Sequence, residues 1–558
     1  MRISCFRGKN NVVMQIADLI PFNQIPSTSR LFLDYLEKAE QLAGFFYSYP
    51  TEPEGFKNLY SQLQSRTYPR KELVEILADQ NQSFAVNELT LNNIKLLENP
   101  ETVAVVTGQQ VGLFGGPLYT IYKTLTAIQL AQSLKEKYSV PAIPIFWLAA
   151  DDDDFAEINH TSIVDKSNQI IKLEYTPQKQ ITNKSASSII FDEKITELIA
   201  QLEACLFDTE FKSEIFKELK ECYQPGKSFS TAFGQWMTKL FGKYGLILID
   251  PTDIRVRKLA VSLFKKDIAE QTKCKEIIEA TTKALLEKGY HQQVALQEDK
   301  TNLFIDYAGS RYPIRREGTR YLFAGTNMRY TAEELVELID QNPEQFSPNV
   351  LLRPIMEDAV IPTIAYVAGP SELAYYAQLK DAYGFFGVQM PIIYPRASIT
   401  IVEKKIAEAL LKYRISIGPL FQNAEKAVSD VLKQSLPKEI ETEVNQLKKQ
   451  IETQYQQLND KVIQWEQSLN AAIISSRNSV LHQLNSLENK IGLANKKKNE
   501  TVREQLNKLI NHLIPKRDLH ERTLNLVPYL VKYHFEFIDQ LYSVIDWNSP
   551  KHQIIKIS

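Results

Sequence analysis

The sequence predicts an α/β protein: a Rossmann-like, doubly wound, mainly parallel sheet carrying insertions, joined to a long antiparallel α-helical coiled coil. Three observations lead there. Five short apolar runs, most of them separated by long helical stretches, read as parallel strands. The first of them runs into a polar, glycine-rich loop and then a helix, Val103 to Lys123, VAVVTGQQVGLFGGPLYTIYK. Beyond Pro437 the texture changes to Gln, Glu, Lys and Asn with apolar residues stepping by four and three, which is a coiled-coil seam.

Bulk properties set the frame. A chain of 558 residues exceeds one ordinary core, so two or more structural units are expected. With 65 basic against 67 acidic residues the net charge is −2, which points away from nucleic acid or an anionic membrane as partner. Cys5, Cys205, Cys222 and Cys274 are scattered without CxxC spacing, so neither a disulfide framework nor a zinc site is expected. No run approaches the length of a membrane span and the N-terminus lacks signal-peptide order, so the reading is a soluble protein of the reducing cytoplasm.

In chain order, residues 1–13 carry no period and read as a disordered tail, with Met14 as the natural start. The Rossmann-like core is expected over 14–400. Its opening, with apolar residues at helical spacing in Ser29 to Ala43 and Arg70 to Gln80, reads as a helical approach to the first strand. That strand is Val103 to Val106, a β-branched apolar run. A loop follows, then a helix with Pro117 in its first turn. The remaining strands are Ala142 to Leu148, Gly245 to Asp250, Thr363 to Ala368 and Gln389 to Tyr394. Insertions are expected near 165–235 and 285–330, the second with alternating runs at Asn302 to Tyr307, Arg311 to Arg315 and Arg320 to Ala324 that suit a small antiparallel unit.

Residues 401–515 form the expected coiled-coil domain. Ile440, Val444, Leu447, Ile451, Tyr455, Leu458, Val462, Trp465 and Leu469 make the stricter seam, and Leu484 to Leu513 a looser one. A projecting antiparallel hairpin follows, either pairing with a second copy as a homodimer or satisfied within the monomer. Residues 516–558 are expected to pack back on the core as a helical segment.

In open parallel sheets ligands bind beyond the carboxyl ends of the strands, so the loops there carry the candidates. The first loop is not a Walker loop, since no Gly-Lys-Ser/Thr closes it, and it lacks the full G-x-G-x-x-G spacing. A tight turn and an anion cradle at a helix N-terminus both remain open. Two adjacent glutamines, able to donate and accept, tip it toward a polar ligand. The binding candidates are Thr107, Gly108, Gln109, Gln110, Gly112 and Gly115, with Tyr119 and Lys123 on the helix, Asn159, then Gly369, Ser371, Glu372 and Tyr375 after the fourth strand, and Arg396 after the fifth. The catalytic candidates are Asp151, Asp153, Asp154, Glu157 and His160. Four consecutive aspartates repel one another, so the run is either a solvated turn or is neutralised by a metal, an amine or nucleotide-bound magnesium. Arg315, Arg316 and Arg320 could reach a carboxylate or phosphate, but such arginines more often form a solvated hairpin face. Gly226-Lys227-Ser228 is not a P-loop, because Glu221 stands where the first glycine belongs.

The motifs GQQVGLFGGPLYTIYK, PIFWLAADDDDFAEINH and PTIAYVAGPSELAYYAQL, in this order, resemble the cysteine-adding enzyme of bacillithiol biosynthesis, from about Met14 to the C-terminus. The resemblance implies a Rossmann-like core with a coiled coil, and a ligase step that joins L-cysteine to the amine of glucosaminyl-malate with ATP-dependent activation of the carboxylate. It implies magnesium carried with ATP and no tightly bound metal, with the GQQ loop toward phosphates and Glu372 and Asp154 toward metal or amine. The chain departs from the family at Asp153, where the Glu-Asp-His-Asp pattern has histidine, and at His520, where the family has Gln. His160 is a candidate to compensate. The alternative is a catalytically silent, nucleotide-sensing scaffold whose coiled coil recruits partners.

Overall fold

The computed structural model describes residues 13–152, 154–179, 181, 184–297, 299–433 and 438–558. Residues 1–12 of the tail expected over 1–13, and the candidate Asp153, lie outside the described residues, whereas Val13 exchanges backbone hydrogen bonds with Ser558. The chain divides into two units, one of residues up to 403 together with 518–558, the other of residues 404–517.

The central sheet of the first unit holds β1 (Val103–Gln110), β2 (Ala142–Ala149), β3 (Ile247–Ile249), β4 (Thr363–Ala368) and β5 (Ile392–Pro395). They pair in the order β3-β2-β1-β4-β5, all parallel. That is the doubly wound order, in which the winding reverses between β1 and β4. Apolar residues fill both faces, as a sheet covered on two sides requires. The helix Leu118–Tyr138 after β1 is accordingly apolar nearly all round. Its Ile121, Leu125 and Ile128 join one core with Phe146 and Leu248, while its Leu130 and Leu134 join another with Val103, Val105 and Val367.

β1 runs four residues further than its apolar run. Thr107 through Gln110 stay in register with Phe146 through Ala149, so the GQQ stretch is the polar end of a strand and not a loop. Glycine permits this at 108. A Cβ there would sit 2.9 Å from the Trp147 carbonyl oxygen and 3.1 Å from Trp147 Cβ. The turn proper is 111–116, with Phe114 and Gly115 both at positive φ and Phe114 buried edge-on against Tyr223. Pro117 caps the helix from outside instead of sitting in its first turn.

Two smaller sheets complete this unit. The strand Met14–Pro21, where the sequence suggested only helix, pairs antiparallel with Lys551–Ile557, which in turn pairs parallel with Ile399–Val402. The expected helical C-terminal segment therefore ends in a strand. The second insertion forms an antiparallel sheet from Lys300–Tyr307, Ser310–Glu317, Arg320–Phe323, Arg329–Tyr330 and Phe346–Pro348. The first insertion holds the hairpin His160–Val164 and Ile170–Glu174 and the helices Lys194–Cys205 and Lys212–Cys222. Ser228 of the rejected P-loop is the N-cap of the helix Phe229–Phe241.

The second unit is dominated by the helices Lys438–Trp465 and Asn470–Leu513. Pairs Lys448–Glu488, Tyr455–Ser476 and Asn459–Asn470 converge on the intervening turn, which makes the hairpin antiparallel. Of the expected seam, Val444, Ile451, Tyr455 and Val462 are partly covered, whereas Ile440, Leu447, Leu458, Trp465 and Leu469 stay exposed. Among the described residues no helix is long and apolar enough to cross a membrane.

Candidate active site

A cavity of about 400 Å³ opens at the carboxyl ends of β1, β2 and β4, where the winding of the sheet reverses. Its walls come from Gly108, Gln109 and Gln110 on β1, Trp147 and Ala149 on β2, Tyr366 on β4, and the segments that follow these strands. Three long-range ion pairs organise it.

The first is Lys123 with Glu372. The lysine is 1% exposed, and its Nζ donates to Glu372 Oε2 at 2.7 Å and to the Gly108 carbonyl at 2.5 Å. Burial pulls its pKa down, and the Glu372 carboxylate works against that fall. Glu372 is itself fixed, accepting from Gly369 N at 2.7 Å and from Tyr366 Oη at 2.9 Å. Gln109 turns its amide to Tyr119 Oη at 3.2 Å. The second pair is Asp152 with Arg353, whose two terminal nitrogens take both carboxylate oxygens, while Gln110 Nε2 donates to Oδ2 at 3.3 Å. Burial pushes the Asp152 carboxyl up, but Arg353 outweighs burial and holds it below the usual carboxylate range. The third is Arg396 with Glu521 at 2.7 Å; Glu521 is fully buried and also accepts from Ser398 Oγ at 2.8 Å and Ile399 N at 2.7 Å. The Arg396 guanidinium lies 5.5 Å from the Tyr119 ring centre.

Of the residues singled out in the sequence, Gly108, Gln109, Gln110, Tyr119, Lys123, Glu157, Gly369, Ser371, Glu372, Tyr375 and Arg396 line this one cavity. Others are drawn elsewhere. Thr107 is buried and spends its hydroxyl on the Val367 carbonyl at 2.9 Å. Gly112 and Gly115 belong to the turn, and the helix N-terminus they were expected to aim at an anion is already covered: Leu118 N donates to Leu524 O, and Asn525 Nδ2 donates to Phe114 O and Gly116 O. One N–H of the helix end, that of Leu118, is thus already engaged within the chain.

The acidic run is divided by its backbone. Asp151 is 1% exposed and paired with Arg257 at 2.6 Å, away from the cavity wall. Asp152 faces the cavity, and Asp154 is the exposed N-cap of the helix Phe155–Ile158. For Asp151 and Asp152 the neutralising cations are thus arginine side chains. Asn159 is buried and donates to Glu174 at 3.3 Å. His160 Nδ1 meets Ala156 O at 3.0 Å and does not line the cavity, so it is not placed to compensate for the missing histidine.

The sequence reading missed Trp147, Arg353, Glu357, Tyr366 and Arg522, all cavity-lining. A signal was present for two of them. Arg353 and Glu357 interrupt an apolar helical stretch, LLRPIMEDAV, just before a strand, and charges there need a partner or a ligand.

A doubly wound sheet with interlocked buried charges around an open cavity at its switch point, in a chain that also carries a coiled-coil domain, defines a Rossmann-like enzyme of small polar substrates. Comparison with known proteins narrows this. Residues 16–397 match the description "Bacillithiol biosynthesis BshC, N-terminal Rossmann-like domain", and residues 399–557 match "Bacillithiol biosynthesis BshC, C-terminal coiled-coil domain". The chain belongs to this family, and it is an enzyme of the ligase class. A relative from Salinibacter ruber is 32% identical over 528 residues, 94% of this chain and 96% of the relative. One from Chlorobaculum tepidum is 33% identical over 549 residues, 95% and 97% of the two chains. One from Geobacillus kaustophilus is 29% identical over 537 residues, 95% and 98%. Each bears the name "Putative cysteine ligase BshC".

Proposed function

We propose that this enzyme forms an amide bond between the carboxyl group of L-cysteine and the amine of glucosaminyl-malate, with ATP activating the carboxylate. The observation that carries the reading is the cavity at the switch point, whose wall combines fixed cations, amide side chains and a buried carboxyl group within reach of one small polar substrate. Ser371, Gln109, Gln110 and Arg522 offer the donors that phosphate oxygens need. Arg522 is exposed and makes no ion pair among the described residues. ATP supplies the leaving group, and magnesium arrives with it. Lys123 and Arg353, each held by its carboxylate, orient the reactants and offset negative charge developing at the acyl oxygen.

Purified protein given labelled cysteine, glucosaminyl-malate and ATP should yield labelled amide in step with nucleotide cleavage. Nucleotide binding with no amide formed would instead favour the silent scaffold.

The coiled-coil unit supports a homodimer. Ile440, Leu447, Leu458 and Trp465 recur at heptad-compatible spacing on one helix and remain exposed, Trp465 by 81%. In sedimentation equilibrium the protein should run at twice the chain mass, and Leu447→Glu with Leu458→Glu should run as a folded monomer. A wild-type monomer at assay concentrations would remove the dimer.

A further inference from the structure

The cavity holds one buried carboxyl group that the three ion pairs leave over. Glu357, on the helix Leu352–Val360, lines the cavity and is 3% exposed, and its Oε1 has no hydrogen-bond partner among the described residues. Trp147 Nε1, on the same cavity wall and 2% exposed, likewise lacks an acceptor. A buried polar atom without a partner costs about 1–3 kcal/mol, more if charged, and such atoms persist where a ligand completes them. Here one acceptor and one donor await a molecule carrying a donor and an acceptor of its own.

We infer that Glu357 receives the primary amine of the acceptor substrate and takes its proton as the amide forms. This rests on the ligase reading above. The ammonium group donates to Glu357 Oε1, the carboxylate accepts one proton, and the freed amine lone pair attacks the carbonyl carbon of the activated acyl group, a mixed anhydride with phosphate or a nucleotide. The new C–N bond forms, the anhydride C–O bond breaks, and the phosphate-bearing group leaves with the electron pair of that bond and takes up the second proton that the nitrogen sheds as the amide forms.

The surroundings suit a base. Facing Glu357 are Asp358 beside it and Glu372, both acidic, and the cations Lys123 and Arg353. The phenols Tyr366, Tyr375 and Tyr376 close around it. Burial, then the neighbouring Asp358 and Glu372, push the Glu357 carboxyl well above the ordinary range, while Lys123 and Arg353 oppose them. Asp358 is itself pushed up to about 7, mainly by burial. A carboxylate of raised pKa is a stronger base toward an ammonium than a solvated one. Lys123 and Arg353 are already paired with Glu372 and Asp152, so neither displaces the substrate ammonium from Glu357.

The test uses the full-length protein and two probes, glucosaminyl-malate and its N-acetyl derivative. By titration calorimetry at pH 7 in buffers of different ionisation enthalpy, wild type should bind the amine with release of up to one proton and bind the N-acetyl compound at least 10-fold more weakly. Glu357→Gln, if folded by its melting profile, should lose both the proton release and the preference, and should form amide at least 100-fold more slowly. In wild type kcat/KM should fall as pH drops through the raised Glu357 value, because the base must be ionised, and the variant should lack that limb. Equal binding of amine and N-acetyl compound by wild type would overturn the proposal even if the variant fails to fold. A Glu357→Gln variant that keeps its turnover and pH profile would also overturn it. Amine-selective, proton-linked binding with no amide product would sink the ligase reading and leave the amine site standing.

Discussion

Lys123→Met should lower stability by about 3 kcal/mol and abolish detectable amide formation. One partner of a buried pair is lost, and the Gly108 carbonyl and Glu372 Oε2 lose their strongest donor. The figure sits at the low end of the usual range because the Glu372 side chain is 22% exposed and keeps the Tyr366 hydroxyl and the Gly369 amide. Adding Glu372→Gln should return part of the stability and none of the activity, since the charge mismatch is relieved while the cavity still lacks the Lys123 ammonium. Urea midpoints of both variants read the first effect, and product formation reads the second. A single variant with the wild-type midpoint would mean that the pair contributes nothing to the fold.

Asp151→Asn should cost about 3–5 kcal/mol, for a different reason: it strands the Arg257 guanidinium, 4% exposed, with Asp306 at 3.5 Å and the Glu344 carbonyl as its remaining partners among the described residues. The folded fraction should keep activity within a few-fold, because Asp151 does not line the cavity. Asp154→Ala offers the contrast. As the exposed cap of a single helical turn, it should cost at most about 1 kcal/mol. Chemical denaturation separates the two aspartates. A stable, inactive Asp151→Asn would restore that residue to the chemistry.

The five core strands were legible because each is a short apolar run, and such runs bury well on both faces of a parallel sheet. The end of β1 was not. Gly108, Gln109 and Gln110 are poor strand formers, kept in the ladder by the close approach to Trp147, which only the neighbouring strand reveals. The antiparallel insertion was legible from its alternation, whereas the strand Met14–Pro21 was hidden because its partner, Lys551–Ile557, lies at the far end of the sequence.

The acidic run illustrates a second limit. Its density marked it as a place needing cations, but Arg257 and Arg353 stand 106 and 201 residues from their aspartates, and nothing local in the sequence reports such pairing. The glycines of the turn misled for the opposite reason. Gly115 and Gly116 serve backbone conformations at φ 92° and 71°, the Leu118 N–H beside them donates to the Leu524 carbonyl, and the carbonyls of Phe114 and Gly116 accept from Asn525 Nδ2. Lys123, Glu372 and Gln109 did meet in one cavity, because the parallel topology brings the ends of β1 and β4 together whatever their distance in the chain.

The segment 518–558 closes the first unit with residues that a ribosome delivers after all the rest of it. Glu521 beneath Arg396, Asn525 across the turn after β1, and the strand Lys551–Ile557 between Met14–Pro21 and Ile399–Val402 are all translated after the coiled-coil region has been made. A growing chain halted near residue 517 would therefore expose the open side of its core, with Arg396 deprived of Glu521 and two strands lacking the one that joins them. The first unit therefore cannot close before 518–558 has been made, and nascent chains should depend on chaperones until the strand Lys551–Ile557 emerges.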